Sequence, residues 1–347
     1  MLSAIENATK SVDFLTFVYW EGNIADQFAQ ALANKAKEGI PVRVLLDAFG
    51  ALPMNKTLLD QMKQAGAHVI WFRPLARWKI WKSDNRTHRK ILICDDEIAF
   101  TGGVGIAKEW EGNARNPQEW RETHFKIQGP AVRGIKSAFV ENWVEATDAL
   151  DTDLFQTDNV PATGSTEILV LRTSASVRWS DIVLLYQTLL SSAKEQIHLC
   201  TAYFNPDQAL VKLLCQKAEE GVDVKIILPG NHTDKRVSKI AAEDIFEPLL
   251  GAGVQLYYYQ KTMMHAKLLM IDDDVSCFGS ANFNHRSMLK DDEINLVAID
   301  KELNSTLNAH FEEDLTHTEK ITRQRWKRRP IIKRVYESAI RVIKQEI

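Results

Sequence analysis

The chain has 347 residues, 45% of them hydrophobic and 26% charged; this is the composition of a globular protein of two domains or one large one, and it excludes disordered, collagen-like and coiled-coil chains. Forty-three Lys and Arg against 46 Asp and Glu leave a net charge of −3, so the whole chain is no polycation built to coat nucleic acid. Basic surface is local: residues 320–347 carry ten Lys or Arg against two Glu, a charge of +8.

No run of about 18 apolar residues is present to cross a bilayer, and the N-terminus has neither the basic region nor the apolar stretch of a signal peptide. Cys94, Cys200, Cys215 and Cys277 show no Cys-x-x-Cys spacing, and Cys94, Cys200 and Cys277 lie in apolar, strand-like runs. Buried thiols in a reducing compartment are expected rather than disulfides or a zinc site.

In chain order, residues 11–19 read as a strand, 24–37 as an amphipathic helix stopped by Gly39, and 42–46 as a second strand. Residues 148–166 mix Asp, Thr, Pro161 and Gly164 with few apolar side chains, as a linker does; a boundary near Asn159 gives domains 1–158 and 159–347. Beyond it come a strand at 167–171, a helix at 181–193, a strand at 195–203, a helix at 208–219 stopped by Gly221, and a strand at 224–228. This repeats the first half: Gly39 and Gly221 are 182 residues apart, and Val42-x-Val44 finds Val224-x-Ile226 at the same offset. The halves are expected to be duplicates, each an α/β layer with a mixed, mostly parallel sheet flanked by crossover helices. The first half begins within the helix that the second half has at 181–193, which points to a trimmed N-terminus.

Thr87-His-Arg-Lys-Ile-Leu-Ile-Cys-Asp95 and Met264-His-Ala-Lys-Leu-Leu-Met-Ile-Asp272 both read H-x-K-x4-D. After six intervening residues each is followed by a small pair, Gly102-Gly103 or Gly279-Ser280, with Asn282 in the second copy alone. Residues two apart on a strand face the same way, so His88 with Lys90, and His265 with Lys267, each point into one space. One such motif can arise by accident; two at matching places in a duplicated chain do not. Duplication could retain the pattern as inherited scaffold, but a buried His–Lys pair is costly unless satisfied, so a cationic pair facing a cavity favours anion binding. Asp95 and Asp272 open polar turns past the strand ends and read as scaffold rather than catalytic residues.

Paired motifs of this kind, with Gly102-Gly103 after one and Gly279-Ser280-x-Asn282 after the other, resemble the phospholipase D superfamily over nearly the whole chain. The segments Asn85-Arg-Thr-His-Arg-Lys, Thr101-Gly-Gly, Trp120-Arg-Glu-Thr-His, Gly129-Pro130, Tyr203-Phe-Asn-Pro, Gly221-Val-Asp-Val-Lys and Ala252-Gly-Val are most similar to bacterial cardiolipin synthases. The resemblance implies two phospholipase D-like α/β lobes with the active site between them, and Gly102, Gly103 and Gly279 as motif scaffold. It implies a phosphodiester exchange with no metal and no cofactor, in which one imidazole attacks phosphorus and the other, protonated, donates to the leaving oxygen. Family precedent gives the attack to the first copy: His88 is the expected nucleophile, forming a phosphohistidine, and His265 the acid, with the reverse assignment open. Lys90, Lys267 and Asn282 would hold the phosphoryl oxygens, and Ser280 would support the loop or add a contact. Glu122 and Glu293, 34 and 28 residues after their histidines, fit the acidic residue that family precedent puts downstream of each motif to fix a ring tautomer; the alternative is a solvated strand-end charge. Gly105 departs from the pattern, standing where the first family motif usually has Asn.

Residues 71–82 interleave Trp71, Trp78 and Trp81 with Arg and Lys. This suits a lipid headgroup interface, stacking on single-stranded nucleic acid, or a partly buried strand and loop; the resemblance favours lipid. Near the C-terminus Ile331, Val335, Ala339, Val342 and Ile343 recur at helical spacing among Lys333, Arg334, Arg341 and Lys344, a basic amphipathic helix suited to an anionic membrane surface or to packing on its own lobe. The expected function is phosphatidyl transfer that joins phosphatidylglycerol units into cardiolipin, or hydrolysis when water intercepts the intermediate. It is expected on the cytoplasmic side of a membrane, peripherally bound, with a phosphatidylglycerol-like substrate and neither nucleic acid nor an obligate protein as partner. A nuclease of the same superfamily and a noncatalytic anionic-lipid-binding protein are the competing classes.

Overall fold

The computed structural model describes residues 1–74, 85–149, 154, 160–174 and 180–327. The expected C-terminal helix, Trp78 and Trp81 of the tryptophan-rich run, and the expected boundary at Asn159 lie outside these residues. The chain forms two compact units. One comprises Met1–Glu111, Thr123–Ser174 and Asp291–Asn295; the other comprises Gly112–Glu122, Ala175–Lys290 and Leu296–Ile347. The division is therefore not a single cut near residue 159, because each unit keeps a short segment from the opposite half of the chain.

The first unit carries α1 (Leu2–Glu6), β1 (Val12–Thr16), α2 (Asn23–Lys37), β2 (Val42–Asp47), α3 (Lys56–Gln64), β3 (His68–Phe72), β4 (Ile91–Cys94), β5 (Ile98–Gly102), β6 (His124–Gln128), α4 (Ala131–Thr147) and β7 (Glu167–Thr173). In the second lie α5 (Asp181–Ser192), β8 (Gln196–Cys200), β9 (Phe204–Asn205), α6 (Gln208–Glu219), β10 (Asp223–Pro229), α7 (Arg236–Glu243), α8 (Phe246–Ala252), β11 (Gln255–Tyr259), β12 (Leu268–Ile271), β13 (Val275–Gly279), β14 (Phe283–Asn284) and α9 (His285–Leu289). It continues with most of β15 (Glu293–Ile299), then α10 (Lys301–Thr316), β16 (Thr318–Ile321) and α11 (Arg323–Lys327).

The sheet of the first unit has the order β3-β2-β1-β4-β5-β6. Strands β1, β2 and β3 are parallel, with Phe14 opposite Val44 and Val44 opposite Val69, while β4, β5 and β6 continue antiparallel from β1. The second unit repeats the plan: β8, β10 and β11 are parallel, and β12 joins β8 antiparallel with Leu269 opposite Leu199. Both sheets are mixed, and in the first the parallel pairing is confined to β1, β2 and β3. A short turn at Asp95-Asp96-Glu97 returns the motif strand at once, and so tight a turn can join only antiparallel strands.

Helix α2 buries Ala25, Phe28, Ala29 and Leu32, and α6 buries Leu210, Val211 and Leu214, each at the spacing that turns one face inward. Phe14, Leu32, Val44, Met62 and Leu92 share one core, and Ile197, Leu214, Ile226, Phe246 and Leu269 the other. The Asp that closes each motif clamps this framework. The Asp95 carboxylate accepts the backbone N–H groups of Thr9 (2.9 Å), Lys10 (2.7 Å) and Ser11 (3.0 Å), on the entry to β1. Asp272 does the same for Lys194 (3.1 Å), Glu195 (2.8 Å) and Gln196 (3.1 Å), on the entry to β8. Burial works to raise the Asp95 carboxyl, but the N–H groups of Lys10, Thr9 and Ser11 outweigh it and hold the group below the usual range.

Candidate active site

The chemistry-bearing residues form two clusters, one within each unit. In the first, residues 86–90 run extended into β4. Thr87 bridges Asp292 in parallel, and the His88 N–H donates to the Asp292 carbonyl at 2.9 Å. This register brings Glu293 to His88, whose Nδ1 lies 3.0 and 3.1 Å from the two carboxylate oxygens. Glu293 is fully buried, while the imidazole keeps 12% of its surface. Lys90 turns its Nζ onto the His88 carbonyl at 2.7 Å and stands 5.6 Å from the centre of the Phe17 ring, which meets the imidazole edge-on at 5.2 Å.

Arg86 and Arg89, on either side of His88, are buried. Arg86 Nε donates to both oxygens of Asp47 (3.1 and 3.0 Å) and Nη2 to the Phe72 carbonyl (2.9 Å). Arg89 Nε donates to the Glu293 carbonyl (3.2 Å), and Nη1 to the Ala138 carbonyl (2.7 Å) and Asn142 Oδ1 (2.9 Å). Asn142 in turn donates to Asp292 (3.0 Å) and accepts from the Thr87 hydroxyl (3.1 Å). A buried guanidinium is tolerated only when its donors are satisfied; here satisfying them locks the backbones of His88 and Glu293 into one register.

In the second unit Met264 bridges Arg121, and the His265 N–H donates to the Arg121 carbonyl at 2.8 Å. Glu122 Oε2 then lies 2.5 Å from His265 Nδ1. Lys267 Nζ donates to the His265 carbonyl and stands 3.7 Å from Glu122 Oε2. Arg121 forks onto Asp314 (2.9 and 3.0 Å) and donates from Nη1 to the Glu122 carbonyl at 2.7 Å, doing for this glutamate what Arg89 does for Glu293. The Trp120 ring centre is 5.2 Å from that of the imidazole. Ser280 and Asn282 are buried after β13; the Asn282 N–H donates to Ser287 Oγ at 3.2 Å, and its Oδ1 meets no partner among the described residues.

Sequence spacing pairs Glu122 with His88 and Glu293 with His265; the structure crosses them, each glutamate meeting the histidine of the other motif copy. The solvated alternative for these carboxyls fails, since both are buried. Each His and Lys also stands just before its sheet strand rather than in it, as β4 and β12 begin one residue after the Lys. Gly102 ends β5 at φ 145°, where a Cβ would lie 2.7 Å from His124 Nδ1; Gly103 beside it is buried, and Gly279 ends β13. At Gly105 a Cβ would lie 2.8 Å from Val18 Cβ and 3.0 Å from Trp110 Cζ3, so those side chains fill the space an asparagine would need.

Sequence reasoning missed Phe17, Asp47, Arg86, Arg89, Asn142, Asp292, Arg121 and Asp314. Arg86, Arg89 and Arg121 carried a signal, lying beside motif residues in a chain where buried arginine is uncommon; Asp47, Asn142 and Asp314 carried none. An imidazole whose Nδ1–H is held by a carboxylate keeps its lone pair on Nε2 and is made more basic. Each cluster can therefore attack with, accept or donate a proton at Nε2, beside a lysine that favours an anion.

A profile of the family described as "Cardiolipin synthase, PLD-like domain" matches residues 1–119 and 186–315. Cardiolipin synthase 1 of Bacillus anthracis is 35% identical over 357 residues, spanning 99% of this chain and 69% of that protein. The cardiolipin synthase of Clostridium perfringens strain SM101 is 33% identical over 351 residues, spanning 99% of this chain and 73% of its own. The crystal structure of phosphatidylserine synthase from Haemophilus influenzae Rd KW20 shares the fold, with a TM-score of 0.72 at 14% identity over 100% of this chain and 92% of that one. The chain, with its two histidine–glutamate dyads, belongs to the phospholipase D-like cardiolipin synthase family.

Proposed function

We propose that this protein transfers a phosphatidyl group from one phosphatidylglycerol to the headgroup hydroxyl of another, forming cardiolipin and releasing glycerol. The observation that carries the reading is the pair of carboxylate-held imidazoles, each with a lysine two residues on, in a chain of this family. His88 Nε2 attacks phosphorus as the bond to the departing glycerol oxygen breaks, and His265 gives that oxygen its proton. The hydroxyl of a second phosphatidylglycerol then loses its proton to His265 as its oxygen replaces the imidazole on phosphorus. Lys90, Lys267 and the Asn282 amide take the nonbridging oxygens, with Ser280 supporting the loop. Water in place of the second lipid yields phosphatidic acid.

None of the described helices is long and apolar enough to cross a membrane, and the reading places this chain peripherally on the cytoplasmic face, where its four free thiols suit a reducing compartment. Mass spectrometry after incubation with phosphatidylglycerol tests it. Cardiolipin and glycerol in equal amounts are expected; phosphatidic acid alone would make the protein a hydrolase, and unchanged lipid would refute the reading.

A further inference from the structure

The loop after β2 holds two of the large apolar side chains exposed among the described residues: Phe49 is 59% exposed and Leu52 67%. Single exposed apolar residues are ordinary, but this pair is mounted on a rigid tip. The Phe49 and Gly50 N–H groups both donate to Asp47 Oδ1 at 2.9 Å, Trp20 Nε1 donates to the Gly50 carbonyl at 2.7 Å, and Ala51 and Met54 are buried beneath. Gly50 presses on Phe17, whose carbonyl oxygen a Cβ there would approach to 2.3 Å, and the Phe17 ring is the one that meets His88. Asp47 also takes Arg86 Nε and the Thr87 N–H (3.2 Å), the two residues before His88. One carboxylate and one phenyl ring thus tie the exposed tip to the histidine.

We propose that the tip at 48–54 is the element by which the first unit enters a phospholipid bilayer, with Phe49 and Leu52 at the boundary of the acyl chains and His88 level with the phosphates. This rests on phosphatidyl transfer as the reaction, because the substrate identifies the occupant. A phosphodiester attacked in place lies in a headgroup layer about 5–8 Å thick, so the outer side chains of a tip whose Gly50 packs on Phe17, the nucleophile's own neighbour, would reach the acyl boundary. Apolar side chains there gain by burial, as in other peripheral proteins.

The test compares the parent with a Phe49→Ser, Leu52→Ser double variant on phosphatidylglycerol vesicles and on dihexanoyl phosphatidylglycerol kept monomeric. Vesicle association and turnover should fall about tenfold or more, with turnover of the monomeric lipid held within about twofold. Equal behaviour of variant and parent on vesicles, or equal loss on both lipids, overturns the proposal. A Leu52→Cys variant carrying an environment-sensitive fluorophore should shift to the blue on vesicles; unchanged emission from vesicle-bound protein overturns it too. If the parent turns over neither lipid, the transferase reading falls, while vesicle association and the fluorophore still decide whether the tip docks.

Discussion

His88 and Glu293 are 205 residues apart in the chain, yet Nδ1 of one lies 3.0 Å from Oε1 of the other. The second dyad, His265 with Glu122, spans 143 residues in the opposite sense. Each dyad lies within one compact unit only because that unit keeps a short segment from the other half of the sequence.

Replacing Glu293 by Gln keeps the shape but removes the charge that stabilises His88 as it becomes cationic. Turnover of phosphatidylglycerol should fall by about 10²–10⁴-fold with the fold intact. Steady-state rates beside a thermal melt check this, and a loss under tenfold would remove Glu293 from the chemistry.

The two histidines should not be equivalent. In His265→Asn a substrate with a good leaving group should still form a phosphatidyl adduct on His88, because departure then needs no acid; in His88→Asn no adduct should form. Acid-quenched peptide mapping reads the position. An adduct on His265 would reverse the two roles, and none on either in an active protein would exclude a covalent intermediate.

Arg89→Met should be among the more damaging single changes. It takes the Arg89 donors from the Glu293, Ala138 and Thr173 carbonyls inside the first unit and leaves Asn142 Oδ1 with the Thr87 hydroxyl alone of its two side-chain donors. A loss of about 3–5 kcal/mol in denaturant unfolding is expected, as for other broken buried charge networks; a loss under about 1 kcal/mol would show that the network can rearrange.

Asp95→Asn should change the acid limb of stability. The folded-state carboxyl is held below its usual value, so its contribution is fully present above the unfolded value of about 3.9 and is lost as the pH falls through the lower folded value. The stability gap between parent and variant should be constant near neutrality and narrow below about pH 4. Unfolding curves across that range test this, and a gap that widens in acid would contradict it.

Gly105→Asn should not restore a missing amide. With Val18 and Trp110 already at 2.8 and 3.0 Å from the Cβ position, the substitution should cost about 1–3 kcal/mol of stability and raise no activity. A faster, equally stable variant would show that the neighbours yield.

Much of the molecule was legible in the order of residues. The duplication, the helices ended by Gly39 and Gly221, the paired motifs and the turn positions of Asp95 and Asp272 rest on local rules of periodicity, turn chemistry and spacing, which act over a few residues. The crossing of the two glutamates rests on none of these. Glu122 and Glu293 look alike in sequence, each a carboxyl downstream of a histidine, and only the backbone bridges Thr87 to Asp292 and Met264 to Arg121 decide which imidazole each one meets. The same holds for Arg89, whose burial is possible only because Ala138 and Asn142 of α4, Thr173 of β7 and the Glu293 carbonyl converge on it. Such convergence is a property of strand order, which a pattern of neighbours along the chain does not encode.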